Sequence, residues 1–154
     1  MQDANYKMMK TNKQLIGIDL FAGAGGLSLG AEMAGISMRY AVEADAYAAA
    51  SYKRNFKNAT VFCEDIRKLS ADKLNTQPVF IIMGGPPCQG FSLSNTKTRD
   101  MSNPNNRMFE EFLRFVDKIA PTWFVFENVY GLTKFKNGEE NIQNHIENRF
   151  RDIG

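Results

Sequence analysis

The segment Gly84-Gly-Pro-Pro-Cys-Gln-Gly-Phe-Ser92 holds the residue best placed to act as a nucleophile. Two prolines stiffen the backbone just before Cys88, and the flanking glycines leave room beside it. The segment follows the apolar run Val79-Phe-Ile-Ile-Met83, so the thiol stands in a polar turn at the carboxyl edge of a strand, the setting of a nucleophile. Most free cysteines are instead small buried hydrophobes. Cys63, in an apolar run with no polar framing, fits that description and Cys88 does not. The next strong apolar run, Trp123 to Phe126, ends in Glu127 and Asn128. In a doubly wound sheet that strand neighbours the Val79 strand, so Glu127 and Cys88 are expected to share one crevice. A thiol beside a carboxyl group suits attack on an electron-poor ring: the thiol adds and the carboxyl group supports the developing charge. Taken alone, Glu127 reads equally well as a strand-end carboxylate in a salt bridge.

A second group of residues surrounds a glycine-rich turn, Asp19-Leu-Phe-Ala-Gly-Ala-Gly-Gly-Leu-Ser-Leu-Gly30. Gly23, Gly25 and Gly26 let the chain turn tightly between a strand and a helix and approach a ligand closely. Glu43, at the end of the second strand, is placed to accept hydrogen bonds from both hydroxyls of a ribose, and Asp65, after the third strand, to receive an adenine amino group. The dinucleotide fingerprint needs glycine where Ser28 stands, and no lysine follows in the manner of a phosphate-binding loop. A nucleoside cofactor without a pyrophosphate fits better, and S-adenosylmethionine is the common one.

The elements that must hold these groups follow from the alternation of apolar runs and helical spacing. Strands are expected at Leu15–Phe21, Arg39–Glu43, Thr60–Cys63, Val79–Met83 and Trp123–Phe126. Helices are expected at Gly26–Ala34, at Asp45–Phe56 with Asp45 as its cap, from Met108 through Phe112, Phe115 and Val116 to Ile119, and from about Glu139 to Arg151. Pro121 ends the third of these, and Gly84–Asn106, rich in Gly, Pro, Ser and Asn, reads as a long loop. Strands alternating with helices imply βαβ units, hence an α/β, doubly wound, mostly parallel sheet. Ligands bind beyond the carboxyl ends of such strands.

Composition narrows the function classes. The 154 residues suit one domain, and 44% hydrophobic residues suffice for a packed core. The twelve phenylalanines are expected mostly in that core. Residues 1–13 read as a polar tail preceding a domain at 14–154. No apolar run is long enough to span a bilayer, so no membrane partner is expected. Two cysteines without disulfide or zinc spacing point to a reducing cytosol, and one histidine leaves little material for a histidine-based triad or a metal site. A net charge of +2 permits a nucleic-acid partner without arguing for one.

Asp19 to Gly30, Gly84 to Ser92 and Glu127 to Leu132 resemble, in order, the signature motifs of the C5-cytosine DNA methyltransferase family. The resemblance runs from about Leu15 to the end of the chain. It implies the S-adenosylmethionine-dependent, Rossmann-like methyltransferase fold, a duplex DNA partner and a setting in bacterial restriction-modification. In that family a cysteine, here Cys88, attacks C6 of a cytosine flipped out of the duplex, and an acid, here Glu127, holds N3. By the same match Phe21, Ala22, Gly23, Gly25, Gly26 and Leu27 line the cofactor site, Glu43 takes the ribose, and Asp65 with Ile66 the adenine. Pro86 lies near both cofactor and target base, and Gln89, Gly90, Ser92, Asn128 and Val129 meet the substrate. Lys97, Arg99 and Arg107 are expected near phosphates, adding salt-dependent affinity rather than sequence choice.

The chain departs from the family pattern in places. Ala44 stands where some members carry an aromatic residue that stacks on adenine, Glu64 stands where glycine is frequent, and Asn103 and Asn105 replace common charged residues. Family members also continue past Gly154 with an arginine-bearing motif, a DNA-recognition domain and a segment that completes the cofactor site. The chain is therefore expected to be an incomplete catalytic domain: a partial sequence of a longer protein, a truncated gene product, or a subunit, non-catalytic by itself, completed by a second, C-terminal chain. An RNA cytosine methyltransferase of the same family is the alternative, against which Gln89-Gly90-Phe91-Ser92 looks more like the DNA branch.

Overall fold

A computed structural model describes residues 14–74, 78–87, 108–128, 136–137 and 140–153. Five parallel strands form one sheet: β1 (Ile16–Leu20), β2 (Ser37–Val42), β3 (Thr60–Phe62), β4 (Ile81–Gly84) and β5 (Trp123–Phe126), in the spatial order β3-β2-β1-β4-β5. The order reverses between β1 and β4, which opens a crevice at the carboxyl ends of those two strands. The strands lie where the apolar runs placed them, with small shifts. The fourth begins at Ile81 rather than Val79, although Phe80 already donates its amide to the Ile16 carbonyl at 2.9 Å. It also continues through Gly84, the expected first residue of the loop. A side chain at Gly84 would place its Cβ 2.2 Å from the Leu20 carbonyl oxygen, so only glycine lets β4 lie this close to β1.

The two faces of the sheet are covered by different helices because successive side chains alternate in direction. Ile18, Leu20, Val42 and Ile82 pack under α3 (Met108–Ile119), with Phe112, Phe115, Val116 and Ile119. On the other face, Met38, Ala41, Ile81 and Met83 pack with Ala31 of α1 (Gly26–Met33) and with Tyr52 and Phe56, at the end of α2 (Ala46–Asn55). Each fully buried large apolar side chain contributes roughly 1.5–3 kcal/mol, so α3, with seven buried residues, is the main clamp on its face. Its second stripe, Phe109 and Leu113, packs against Ile146 of α4 (Ile142–Arg151).

Asp45 caps α2 as expected, its carboxylate accepting the Ala48 amide at 2.8 Å. The last helix starts at Ile142 rather than Glu139, because Glu140–Asn141 (β7) pairs antiparallel with Lys136–Asn137 (β6). Two short 3-10 turns, Ile66–Lys68 and Ala71–Leu74, were not foreseen. The phenylalanines are less uniformly internal than expected. Phe56, Phe109, Phe112 and Phe115 are buried, but Phe124 stands 42% exposed beside Trp123 (62%) and Val125 (44%) on the outermost strand, β5. Cys63 overturns its assignment as a buried hydrophobe: it is exposed, because the sheet's other edge strand ends at Phe62 and the residue after it turns to solvent. Among the described residues, no helix is long and apolar enough to cross a membrane. Residues 1–13 lie outside the described part.

Candidate active site

The glycine turn leaves β1 through Phe21, whose φ of 59° is left-handed, and enters α1 through Gly25, at φ 99°. At Gly25 a Cβ would lie 2.2 Å from Phe56 Cε2, so backbone conformation and the ring beneath both require glycine. The turn is held from the side by Glu43. One carboxylate oxygen accepts the Gly23 amide at 2.8 Å and the other the Asp45 amide at 2.7 Å. Glu43 itself is set by its own amide, which donates to the Phe62 carbonyl at 3.0 Å. Each oxygen keeps a further lone pair, so the carboxylate can still receive a pair of vicinal hydroxyls.

The turn is held from below by a chain that the sequence reading missed. Asp19, fully buried, accepts the Ser28 hydroxyl at 2.6 Å, and Ser28 lies 2.6 Å from the Tyr52 hydroxyl. Ser28 has one proton and gives it to Asp19, so Tyr52 donates to Ser28. Three elements, β1, α1 and α2, are thereby tied under one turn. Burial raises the Asp19 carboxyl to about 6, partly offset by the Ser28 hydrogen bond, and burial also pushes the Tyr52 phenol up. The other Asp19 oxygen meets no donor among the described residues. The available signal was an aspartate at the end of an apolar run and a tyrosine in an alanine-rich helix. Ser28, read only as a missing glycine, is the link between them.

Beyond the carboxyl ends of the strands lies a cleft of about 380 Å³, lined by Phe21, Val42, Glu43, Ala44, Glu64, Asp65, Ile66, Arg67, Gly85, Pro87 and Met108. Of the expected cofactor residues, Phe21, Glu43, Asp65 and Ile66 meet here. Gly23 touches the cleft through Glu43, whereas Ala22 and Gly25 are buried behind it, and Gly26 and Leu27 are exposed at the start of α1. Pro86 is buried, and its neighbours Gly85 and Pro87 form the wall in its place. The Asp65 side chain caps the Ile66–Lys68 turn and is paired with Arg67, which holds its carboxyl at about 2. The described wall carries three carboxyl groups and one guanidinium. That balance, the acceptors at Glu43 and Asp65, and the open space over Gly23 and Gly26 fit a cationic nucleoside such as S-adenosylmethionine.

The catalytic end is built by the pairing of β4 with β5, which sets Gly84 beside Phe126. The Glu127 amide donates to the Gly84 carbonyl at 2.9 Å, and a Cβ on Gly85 would lie 2.5 Å from Glu127 Oε2. Asn128 donates its side-chain amide to the Pro86 carbonyl at 3.2 Å. The Glu127-Asn128 pair is thus stitched to the residues that lead directly into Cys88, as the doubly wound reading requires. Cys88 itself, with Gln89, Gly90, Ser92 and Val129, lies outside the described residues, as do Lys97, Arg99, Asn103, Asn105 and Arg107.

The family model described as C-5 cytosine-specific DNA methylase matches residues 15–154. The chain belongs to this family. It is 42% identical over 140 residues to the type II methyltransferase M.DdeI of Desulfomicrobium norvegicum, covering 89% of the chain and 33% of that protein. A prophage-encoded E. coli protein, named as a candidate DNA modification methyltransferase, has a crystal structure that superposes with a TM-score of 0.74 at 35% identity, covering 90% of the chain and 38% of that one. Spodoptera frugiperda DNMT2, at 22% identity and a TM-score of 0.67 over 91% of the chain and 41% of its own, shares the fold. The chain therefore spans about a third of the length of the first relative, and the matched part contains the glycine turn, Glu43, Asp65 and the β4–β5 junction. Membership in the C5 methylase family accounts for a cleft and a junction of Gly85 and Pro86 with Glu127 and Asn128 lying at one end of one sheet.

Proposed function

We propose that this chain is the cofactor-binding and catalytic portion of a DNA (cytosine-5-)-methyltransferase of a bacterial restriction-modification system, acting on duplex DNA in the cytosol and so alongside the nucleoid. The observation that carries the reading is the contact of Glu127 with Gly85 and of Asn128 with Pro86, at the same strand ends as the Glu43–Gly23 clamp. A carboxyl group is thereby held beside the Cys88 segment, within reach of a base that enters the same crevice as the cofactor.

The chemistry follows from the reactivity of cytosine. C5 is a poor carbon nucleophile. Addition of the Cys88 thiolate at C6 makes C5 enamine-like, and Glu127, by donating a proton or hydrogen bond at N3, accepts the charge that this addition pushes into the ring. S-adenosylmethionine, when bound, supplies an electrophilic methyl group. Loss of the C5 proton and then of the Cys88 sulfur restores the aromatic ring. Pro86 and Pro87 stiffen the segment that carries the nucleophile, and Gln89, Gly90, Ser92, Asn128 and Val129 frame the flipped base. Phe21, Glu43, Asp65 and Ile66 orient the cofactor, with Ala22, Gly23, Gly25, Gly26 and Leu27 shaping the turn beneath it.

We further infer that sequence choice, and completion of the cofactor site, come from protein beyond this third of the family's length, in the same polypeptide or in a complementing chain. The exposed apolar row Trp123-Phe124-Val125 on β5 supports that reading, since it leaves the sheet edge a surface for further structure. The chain alone, incubated with tritiated cofactor and cytosine-rich duplex DNA, is expected to be inactive, and addition of the complementing part to restore methylation. Cys88→Ser in the restored protein abolishes the covalent adduct with DNA containing 5-fluorocytosine while leaving cofactor binding nearly intact. A persisting adduct removes Cys88 from its role. Methyl transfer to tRNA but not to duplex DNA replaces this reading with the RNA one.

A further inference from the structure

Asp65 is the acceptor assigned to the adenine amino group, yet its carboxylate is already engaged. The Arg67 backbone amide donates to Oδ1 at 3.0 Å, the Arg67 Nε to Oδ1 at 2.9 Å and to Oδ2 at 3.0 Å, and the Arg67 Nη2 to Oδ2. Three N–H groups, one of them shared between the two oxygens, thus engage most of the roughly four lone-pair sites that a carboxylate offers. An exocyclic amino group approaching Asp65 therefore competes with these donors for the carboxylate. The backbone amide belongs to the 3-10 turn that Asp65 caps and cannot leave without unwinding it. The guanidinium can. Its side chain is 48% exposed, and an exposed pair of this sort is weak because water screens it.

The turn itself does not depend on that guanidinium. Arg114, reaching across from α3, donates through Nη2 to the Ile66 carbonyl at 2.8 Å and the Leu69 carbonyl at 3.1 Å, while its Nε is engaged by Glu111. One arginine therefore anchors the backbone at the adenine end of the cleft, and the other, lining the cleft, covers the acceptor. Ala44, on the same wall, brings no aromatic ring to hold the base.

We propose that Arg67 is a specificity-determining gate on the cofactor's base: its guanidinium competes with the 6-amino group of adenine for Asp65, weakening adenine binding and narrowing the discrimination between a 6-amino and a 6-oxo purine. This rests on Asp65 being the adenine acceptor. The narrowing follows because the displaced guanidinium can donate to a 6-oxo group, whereas Asp65 alone repels it. Removing Arg67 leaves a carboxylate that accepts from the amino purine and rejects the oxo one.

The test is calorimetric titration of the restored protein, this chain together with the complementing part, with S-adenosylhomocysteine and with its 6-oxo counterpart, S-inosylhomocysteine. Arg67→Ala is expected to bind S-adenosylhomocysteine about two- to fivefold more tightly than the wild type and to widen the ratio between the two ligands. Arg67→Gln, which keeps the stem without the charge, falls between them. In the wild type, added salt screens the exposed pair and tightens binding of the net-neutral S-adenosylhomocysteine, an effect that vanishes in Arg67→Ala. Unchanged or weaker binding in both Arg67 variants, or a salt response that survives them, overturns the gate. Asp65→Ala separates the two claims, since it should weaken S-adenosylhomocysteine binding more than tenfold. Wild-type affinity in Asp65→Ala removes the adenine assignment itself, and failure of every form to bind either ligand overturns the cleft as a cofactor site.

Discussion

Asp19 and Asp65 are the same residue type at opposite depths of one site, and they are pushed in opposite directions. Asp19, beneath the glycine turn, is fully buried and its carboxyl is raised to about 6, chiefly by loss of water. Asp65, at the rim of the cleft, is held at about 2, chiefly by hydrogen bonds from Arg67. The floor is costly to charge and tightly connected through Ser28 to Tyr52, whereas the rim is cheap to rearrange and open to a ligand. Rigidity is placed where the turn must hold its shape, and exchangeable pairing where the cleft opens to solvent.

The comparison breaks first at the floor. Asp19→Ala leaves the Ser28 hydroxyl without its acceptor in a buried space and is expected to cost about 3–4 kcal/mol, read as a fall in the urea midpoint at constant slope. Asp65→Ala should cost under about 1 kcal/mol by the same measurement. Equal losses at the two positions would dissolve the contrast.

The pH response sharpens it with opposite signs. Asp19 binds its proton more tightly folded than unfolded, so its contribution is complete below its ordinary value of 3.8 and is lost as pH rises through about 6. Wild-type stability relative to Asp19→Asn should therefore fall by roughly 2–3 kcal/mol between pH 4 and 7. Asp65 is depressed, so its contribution is present above 3.8 and lost as pH falls toward 2. At this exposed pair, solvent screening limits the change relative to Asp65→Asn to about 1 kcal/mol or less. Denaturant titrations at stepped pH check both, and a wild-type curve parallel to Asp19→Asn would show that the floor carboxyl does not titrate as its burial requires.

Two glycines give the next smaller effect. Gly25→Ala meets the Phe56 ring as well as a left-handed backbone and should cost about 2 kcal/mol. Gly23→Ala, with φ 54° but open space around its Cβ, should cost about 1 kcal/mol in stability. Thermal melting of the two variants orders them, and a reversed order would place the tight packing at the rim. Tyr52→Phe, which removes only the terminal hydroxyl, is the smallest test of the floor, at about 1 kcal/mol.

The sequence by itself determined the order of the elements and the candidate residues. Apolar runs of strand length, turn glycines and a capping aspartate act over a few residues, so their consequences are local and can be read from the chain. Asp45 caps α2, and the five strands lie within a few residues of their expected places. The Pro-Pro and Glu-Asn segments stood out for the same reason, as short patterns, and they lie at the ends of β4 and β5. Tertiary structure decided what depends on neighbours distant in sequence. The tie from Asp19 through Ser28 to Tyr52 joins residues on three elements. Cys63 is exposed because its strand lies at an edge, which only the strand order reveals. Arg67 acquires its role from Arg114, 47 positions away, which frees it by holding the same turn independently. Burial and competition for a shared acceptor are properties of packed neighbours, and no local pattern encodes which neighbours those are.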